Sequence, residues 1–405
     1  MRSRKEDIIT KEEIQGEAGY WLGQALRLEY RGRKCTPAVL LQILLLAASR
    51  VVSIFAACRD LADAPCDQTI RDALAATLPE MAELERRLNR SLCTKVPRAL
   101  NRKSRILAID LTLIPYHGQP AFEEKEIYRS APKSGTTHFH AYATVAVVHK
   151  GHRYTLGLIH VEKGAAMKDV VQRLLRIARS RGVRIRFLLL DKGFFSVSVI
   201  SYLRRAHYGF IIPVIIRGRK PKKPEAEFTG LRALQRKKNG YYRHQMTSKE
   251  DKKKNRKKQQ VEVTICVASK NYRRKKTGKK ERKKLLYVIY RVRRTPEEIR
   301  EIYRKRFGIE TTYRQMNEAR IKTCTRDPKA RLLFVGIALV LRNVWVWLHF
   351  RFAKRKYSEE PELFLELLRF GEMLLWITQV VQQALGADKT KGLDVETYQR
   401  VRGDA

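Results

Sequence analysis

The spacing of apolar residues changes twice along this chain, and the changes divide it. Residues 1–34 are polar and sparsely patterned, which predicts an arm. From residue 36 to 98 the pattern is helical. TPAVLLQILLLAASRVVSIFAACRDLA opens on Thr36 and Pro37, a pair suited to an N-cap and first helical position. Asp63-Ala64-Pro65 breaks the pattern, and CDQTIRDALAATL resumes it with Ile70, Leu74 and Leu78 at helical spacing. Two helices about a short turn fit two readings. One is a helix-turn-helix reader with Gln68, Thr69 and Arg71 toward DNA; the other is a bundle that only packs.

From residue 105 the apolar runs shorten. ILAIDLTLI (106–114) reads as a buried strand, and FHAYATVAVVHK and HRYTLGLIHV about Gly151 read as a hairpin. Met167, Val170, Val171, Leu174, Leu175 and Ala178 then mark an amphipathic helix that Gly182 stops. RFLLLD (186–191), a helix near 195–206 and GFIIPVII (209–216) follow. Three strands, helix, strand, helix, strand predicts an α/β fold whose mixed sheet has helices on its faces. Ribonuclease-H-like nucleases use that order.

Residues 217–284 interrupt it, with 27 Lys and Arg against 6 acids and the runs KKKNRKK and RRKKTGKKERKK. Within and just after them, YYRHQM, QVEVTICVAS and LLYVIYRV look like strands, so the expectation is a basic β-rich insertion. Thr295-Pro296 signals a helix start, and the rest is mostly helical to residue 387. The predicted organisation is an N-terminal helical DNA-binding domain (1–100) and the first part of a ribonuclease-H-like catalytic domain (101–216). The insertion (217–290), the last catalytic helix (291–326) and a helical C-terminal region (327–405) complete it.

Charge narrows the partners. The chain carries 85 Lys and Arg against 41 Asp and Glu, a formal net charge of +44 in 405 residues. A polyanion gains affinity for such a surface by releasing counterions, so nucleic acid is the expected partner. The six cysteines show no zinc or redox spacing and are expected reduced. No apolar signal segment opens the chain, so a cytoplasmic, nucleoid-associated protein is expected. The stretch 332–350 is interrupted by Arg342, Asn343 and His349, which favours a buried core helix over a membrane span.

Asp110 sits in an otherwise apolar strand, where a carboxylate is costly unless paired, hydrogen-bonded or bound to a metal. Asp191 repeats this at the end of RFLLLD, on a strand that the topology places beside the first. Two carboxylates so close repel, and a divalent cation resolves the repulsion. Glu310 is the third candidate ligand, in TPEEIREIYRKRFGIETTYRQMNEARIK. Read as one helix, this segment puts Tyr303, Glu310 and Asn317 on a shared face, with Arg306 and Arg314 four residues either side of the acid. Three oxygen ligands without His or Cys select a hard ion, Mg2+ or Mn2+, and two such ions suit in-line displacement at a phosphodiester.

With these residues the chain resembles the DDE insertion-sequence transposases, in the cut-and-paste group with a Tyr-x2-Arg-x3-Glu-x6-Lys signature. Tyr303, Arg306 and Glu310 stand at that spacing, and Asn317 replaces the Lys. DLTLIPYHG, DKGFF and the basic insertion extend the likeness over about residues 100–325. The resemblance implies Asp110, Asp191 and Glu310 as a catalytic triad on two metal ions, and Tyr303 and Arg306 on DNA-end phosphates. Arg314, Arg320 or Lys322 would substitute for the missing Lys. It also implies binding of terminal inverted repeats in double-stranded DNA, cleavage and strand transfer, and a homodimer in the synaptic complex. Lys192, Lys252, Lys253, Lys254, Arg273 and Arg274 are further expected DNA contacts. Where some members stack a flipped base on an insertion Trp, this insertion offers Phe228, Tyr241, Tyr242 or Tyr272.

His117, His138 and His140 are read as ordinary polar or DNA-facing residues, and Lys133–Thr137 lacks Walker A spacing. A stand-alone or domesticated metal-dependent nuclease would need the same acids. A non-catalytic basic DNA-binding protein would leave them scattered.

Overall fold

The computed structural model describes residues 9–30, 32–101, 103–149, 152–219, 227–248, 258–273, 278, 280–352 and 368–387. Five helices precede the first strand: α1 (Lys11–Leu26), α2 (Pro37–Ser49), α3 (Ile54–Arg59), α4 (Asp67–Thr77) and α5 (Met81–Leu92). A single turn, α6 (Arg98–Asn101), leads into the sheet.

The expected arm is instead α1. Thr10 and Glu13 cap each other's backbone N–H groups, and Ile14, Ala18, Trp21, Leu22 and Ala25 are buried at helical spacing. Gly16, Gly19 and Gly23, off that stripe, lower the helix propensity of the segment and hid it from the pattern. The Thr36-Pro37 start holds, but the apolar run splits into α2 and α3 where Val51 turns to φ 55°.

The strands are β1 (Arg105–Pro115), β2 (Tyr128–Lys133), β3 (Thr136–His149), β4 (His152–Val161), β5 (Ile185–Leu190) and β6 (Phe210–Pro213). Three more, β7 (Gly240–Thr247), β8 (Gln260–Arg273) and β9 (Lys280–Tyr290), come from the basic region. Helices α7 (Met167–Ser180) and α8 (Val197–Arg205) alternate with β5 and β6, and α9 (Gly230–Leu234) precedes β7. β1 is antiparallel to β3 and parallel to β5, which is parallel to β6. With β4 beyond β3, this is the mixed ribonuclease-H-like sheet that the element order predicts. Strands β9, β8 and β7 continue it: β9 pairs with β6 from Phe210–Tyr290 to Pro213–Tyr287. The Lys133–Thr137 segment is the β2–β3 hairpin turn, with Ser134 and Gly135 both at positive φ.

Strand alternation gives the two faces different work. Leu107, Ile109 and Val145 face α7, which comes close at Gly157, where a Cβ would lie 2.8 Å from Ile177. Ala108, Leu189, Ile211 and Tyr287 face the other way, under α10 (Pro296–Arg304). Asp110 and Asp191 share the parity of Ala108 and Leu189, so both lie on the α10 face.

The outer edge of β4 is sealed by a helix. Glu85, Asn89 and Cys93, four residues apart on α5 and its C-cap, meet His160, Leu158 and Leu156, two residues apart on β4. Glu85 Oε1 accepts from His160 N at 2.7 Å, and Asn89 Oδ1 from Leu158 N at 2.7 Å. Asn89 Nδ2 donates to Leu158 O at 2.8 Å, and Cys93 Sγ to Leu156 O at 3.3 Å. Four helical residues rise about 6 Å and two strand residues about 6.7 Å, so the helix imitates a neighbouring strand. Past a bulge in β4, Asn343 takes both the N–H and the C=O of Thr155, at 3.0 and 2.7 Å.

Asn343 belongs to α12 (Pro328–Phe352), long and apolar enough to cross a membrane but buried within the fold as expected of a core helix. α13 (Phe370–Leu385) packs on α1 and α2, so the helices at the two ends of the chain form one bundle.

Candidate active site

The segment predicted as one helix is broken. α10 ends at Arg304, residues 305–307 form a 3-10 turn, and α11 (Gly308–Asn317) follows. Arg153 of β4 donates to the Lys305 carbonyl, an acceptor that the broken helix frees. The turn points Arg306 at the sheet. Arg306 Nη1 lies 2.7 Å from Asp110 Oδ2, and Nη2 lies 3.0 Å from Asp191 Oδ1. One guanidinium therefore spans the two acids that the sequence singled out.

Adjacency of β1 and β5 sets up this pair. Ile109 is in register with Leu190, so the next residue of each strand puts its carboxylate at the same level. Asp110 is the deeper, 7% exposed, and Asp110 Oδ1 accepts from its neighbour Leu111 N at 2.8 Å. Asp191 is half-exposed at the mouth, where its Oδ2 accepts from Gly193 N and caps the turn carrying Lys192. Burial pushes the Asp110 carboxyl up to about 6; Arg306 opposes this and Asp191 adds to it. Tyr303 is buried, its hydroxyl donating to Leu190 O at 3.2 Å and its ring 5.6 Å from the Arg306 guanidinium carbon.

α11 is tied to the same spot. The Tyr313 hydroxyl is 2.8 Å from Thr144 Oγ1, and Thr144 is the β3 residue directly opposite Asp110. Glu310 stands one turn before Tyr313, but its side chain lies outside the described residues. Among the described residues no three acids, histidines or cysteines cluster as a metal site. The pair Asp110–Asp191 still fits a hard cation: its oxygens converge on one positive group, and the guanidinium stands where such an ion would neutralise both.

The other expected contacts are spread out. Tyr303 and Asn317 do not share a face, because the 3-10 turn resets the helical phase: Tyr303 is buried and Asn317 exposed. Arg314, Lys322 and Lys192 are exposed; half-buried Arg320 donates to Asn317 Oδ1 at 3.2 Å. On α4, Gln68 and Arg71 are exposed but turned to Asp72 and Asp67, and Thr69 meets Cys66. Arg71 and Lys322 line one cleft between α4 and the segment before α12. Arg273 is exposed at the end of β8, whereas Lys252, Lys253, Lys254 and Arg274 lie outside the described residues. Tyr241 and Tyr272 are the exposed large aromatics of the insertion. His140 is not DNA-facing: it is 1% exposed, edge-on to Tyr116 beneath α12.

Sequence reasoning missed three residues here. Thr144, Tyr313 and Arg153 show no signal until the strands are in register.

Residues 101–344, more than half of the chain, match the family described as the transposase DDE domain. The chain belongs to that family. This transposase is also similar in fold to a solved cryo-EM structure of a piggyBac transposase synaptic complex with hairpin DNA. That likeness covers 99% of this chain and 86% of the other, with a TM-score of 0.50 and 14% sequence identity. No curated protein matches the transposase by sequence.

Proposed function

We propose that this transposase binds transposon-end DNA and cuts and joins its strands at a centre built from Asp110, Asp191 and Glu310. The observation that carries the reading is the pair of carboxylates on adjacent parallel strands, converging on one positive charge. Asp110 and Asp191 would hold a divalent ion, Mg2+ or Mn2+, and Glu310 would complete the set for two. Bound there, the ions would activate the attacking oxygen and steady the departing one.

The rest is the chain's own work. Asp110, anchored by Leu111 N and buried, keeps one carboxylate orientation fixed. Asp191 at the mouth faces incoming phosphate. Arg306, once released from the acids, carries a guanidinium suited to two phosphate oxygens. Tyr303, anchored through its hydroxyl on Leu190 O, sets its ring beside that guanidinium. Lys270 stands directly opposite Lys283 in the β8–β9 ladder, a pairing that costs stability alone and that a polyanion relieves. The piggyBac chain engages hairpin DNA in a synaptic complex, which supports a paired-end, dimeric assembly here.

The test is Asp191→Asn, assayed by gel shift and by cleavage on terminal-repeat DNA with Mg2+. Binding should persist, because it comes from the basic surface, and cleavage and joining should vanish. Cutting at near the parent rate would end the two-metal reading.

A further inference from the structure

Beyond the acids, the same sheet face holds a small enclosed space lined by donors. His140 and Tyr142 of β3 stand opposite Ile114 and Thr112 of β1, on the parity of Asp110. With Ile114, Arg320, Arg331 and Phe334 they wall a cavity of about 10 Å3. His140 is 1% exposed and Tyr142 0%. Among the described residues neither His140 ring nitrogen has a hydrogen-bond partner, and neither does the Tyr142 hydroxyl. A buried polar group left unmatched costs about 1–3 kcal/mol, so three in one wall point to an occupant.

The two arginines decide its charge. Arg331 spends Nε on the Thr325 carbonyl at 2.6 Å and lies 4.6 Å over the Tyr116 ring. Arg320 spends Nε on Asn317. Among the described residues neither makes an ion pair, and Asp327 close by is turned to the N–H groups of Lys329 and Ala330. Burial, then Arg331 and His160, pushes His140 down to about 3, so its ring is neutral and offers one N–H.

We propose that this cavity is a binding site for a monatomic anion, chloride in ordinary solution, held by the Arg320 and Arg331 guanidiniums, the Tyr142 hydroxyl and the His140 ring. Its volume admits about one water-sized occupant, which excludes a phosphate or a nucleotide. Two positive groups with no carboxylate favour an anion over water there. The site shares no residue with the Asp110–Asp191–Arg306 centre, and the ion would tie the ends of β1 and β3 to the segment entering α12.

The test combines bromide and gluconate. Crystals of the full chain soaked in bromide should show one anomalous peak within hydrogen-bond reach of Tyr142 Oη and both guanidiniums. In solution at constant ionic strength, replacing gluconate with chloride or bromide should raise the unfolding midpoint saturably, by about 2 °C or more. Tyr142→Phe keeps the shape of the wall and should raise the half-saturating halide concentration at least threefold. A water in the cavity with no anomalous peak, or coincident halide and gluconate curves, overturns the site. A peak without the saturable response overturns it too, as binding at crystal concentration only.

Discussion

Arg306 and Asp110 form an ion pair at 2.7 Å in which the two residues are 6% and 7% exposed. A pair so buried is held by geometry, because desolvation consumes most of the attraction. Its second arm, to Asp191 at 3.0 Å, makes the guanidinium a counter-charge for two acids at once.

Arg306→Gln should therefore destabilise the chain without divalent metal, by about 3–5 kcal/mol, since it strips two close carboxylates of their cation. Mn2+ should recover much of that loss and should bind the variant more tightly than the parent. Thermal unfolding and calorimetric titration with Mn2+ check both statements. Equal or weaker Mn2+ binding would show that Arg306 assists the ion instead of competing with it.

Tyr313→Phe removes one hydroxyl from the hydrogen bond that pins α11 over Thr144. The stability loss should be small, about 1 kcal/mol. DNA cleavage should fall more steeply than that, because the helix carrying Glu310 loses its anchor opposite Asp110. A variant that cuts at the parent rate would make this hydrogen bond purely structural.

Asn343→Leu should be far more damaging to the fold. It leaves both backbone groups of Thr155 without partners and takes from the Leu92 carbonyl one of its two donors, the Tyr154 hydroxyl remaining at 2.9 Å. The expected cost is about 3 kcal/mol or more, read as a lower denaturation midpoint.

Neutralising Arg273, Arg282 and Lys283, all exposed at the β8–β9 end, should weaken DNA binding about equally for all sequences. The slope of log affinity against log salt should fall by about 0.9 for each phosphate that the protein no longer neutralises. Collapse of sequence preference with an unchanged slope would make this region a base reader.

Acid should unfold the chain partly through His160. Burial, against a raising influence from Glu126 and with a further lowering one from Arg173, pushes this ring down to about 4. Its ordinary value is near 6.5, so below that pH the unfolded chain takes up a proton that the folded chain refuses. Stability should fall as pH drops from about 6.5 to about 4, and His160→Phe should flatten that part of a midpoint-against-pH curve.

Asp110 and Asp191 were legible because a carboxylate in an apolar strand has few explanations, and the strand order put both on neighbouring strands. The strands of the basic region were legible too, but their union with β6 was not, since pairing partners leave no mark on composition. Arg306 stood out through its place four residues before Glu310 and through a motif. Its bridge to both acids depends on a helix break at 305–307, which Gly308 alone marks in the sequence and which Arg153 supports from β4. Helix α1 escaped because three glycines lower its helix propensity, although its capping box was there to be read.

The sealed edge of β4 has a consequence for self-association. A sheet of nine strands, counted among the described residues, offers its free margins to any passing copy, and such margins seed aggregation. Here α5 closes one long margin. β2, beside it, is short and carries Pro132, which cannot donate to a ladder. The remaining margin is β7, where Arg243 lies on a chain of net charge +44. Copies approaching there meet like charge, so the polarity that draws in a polyanion also keeps the sheets of separate molecules apart.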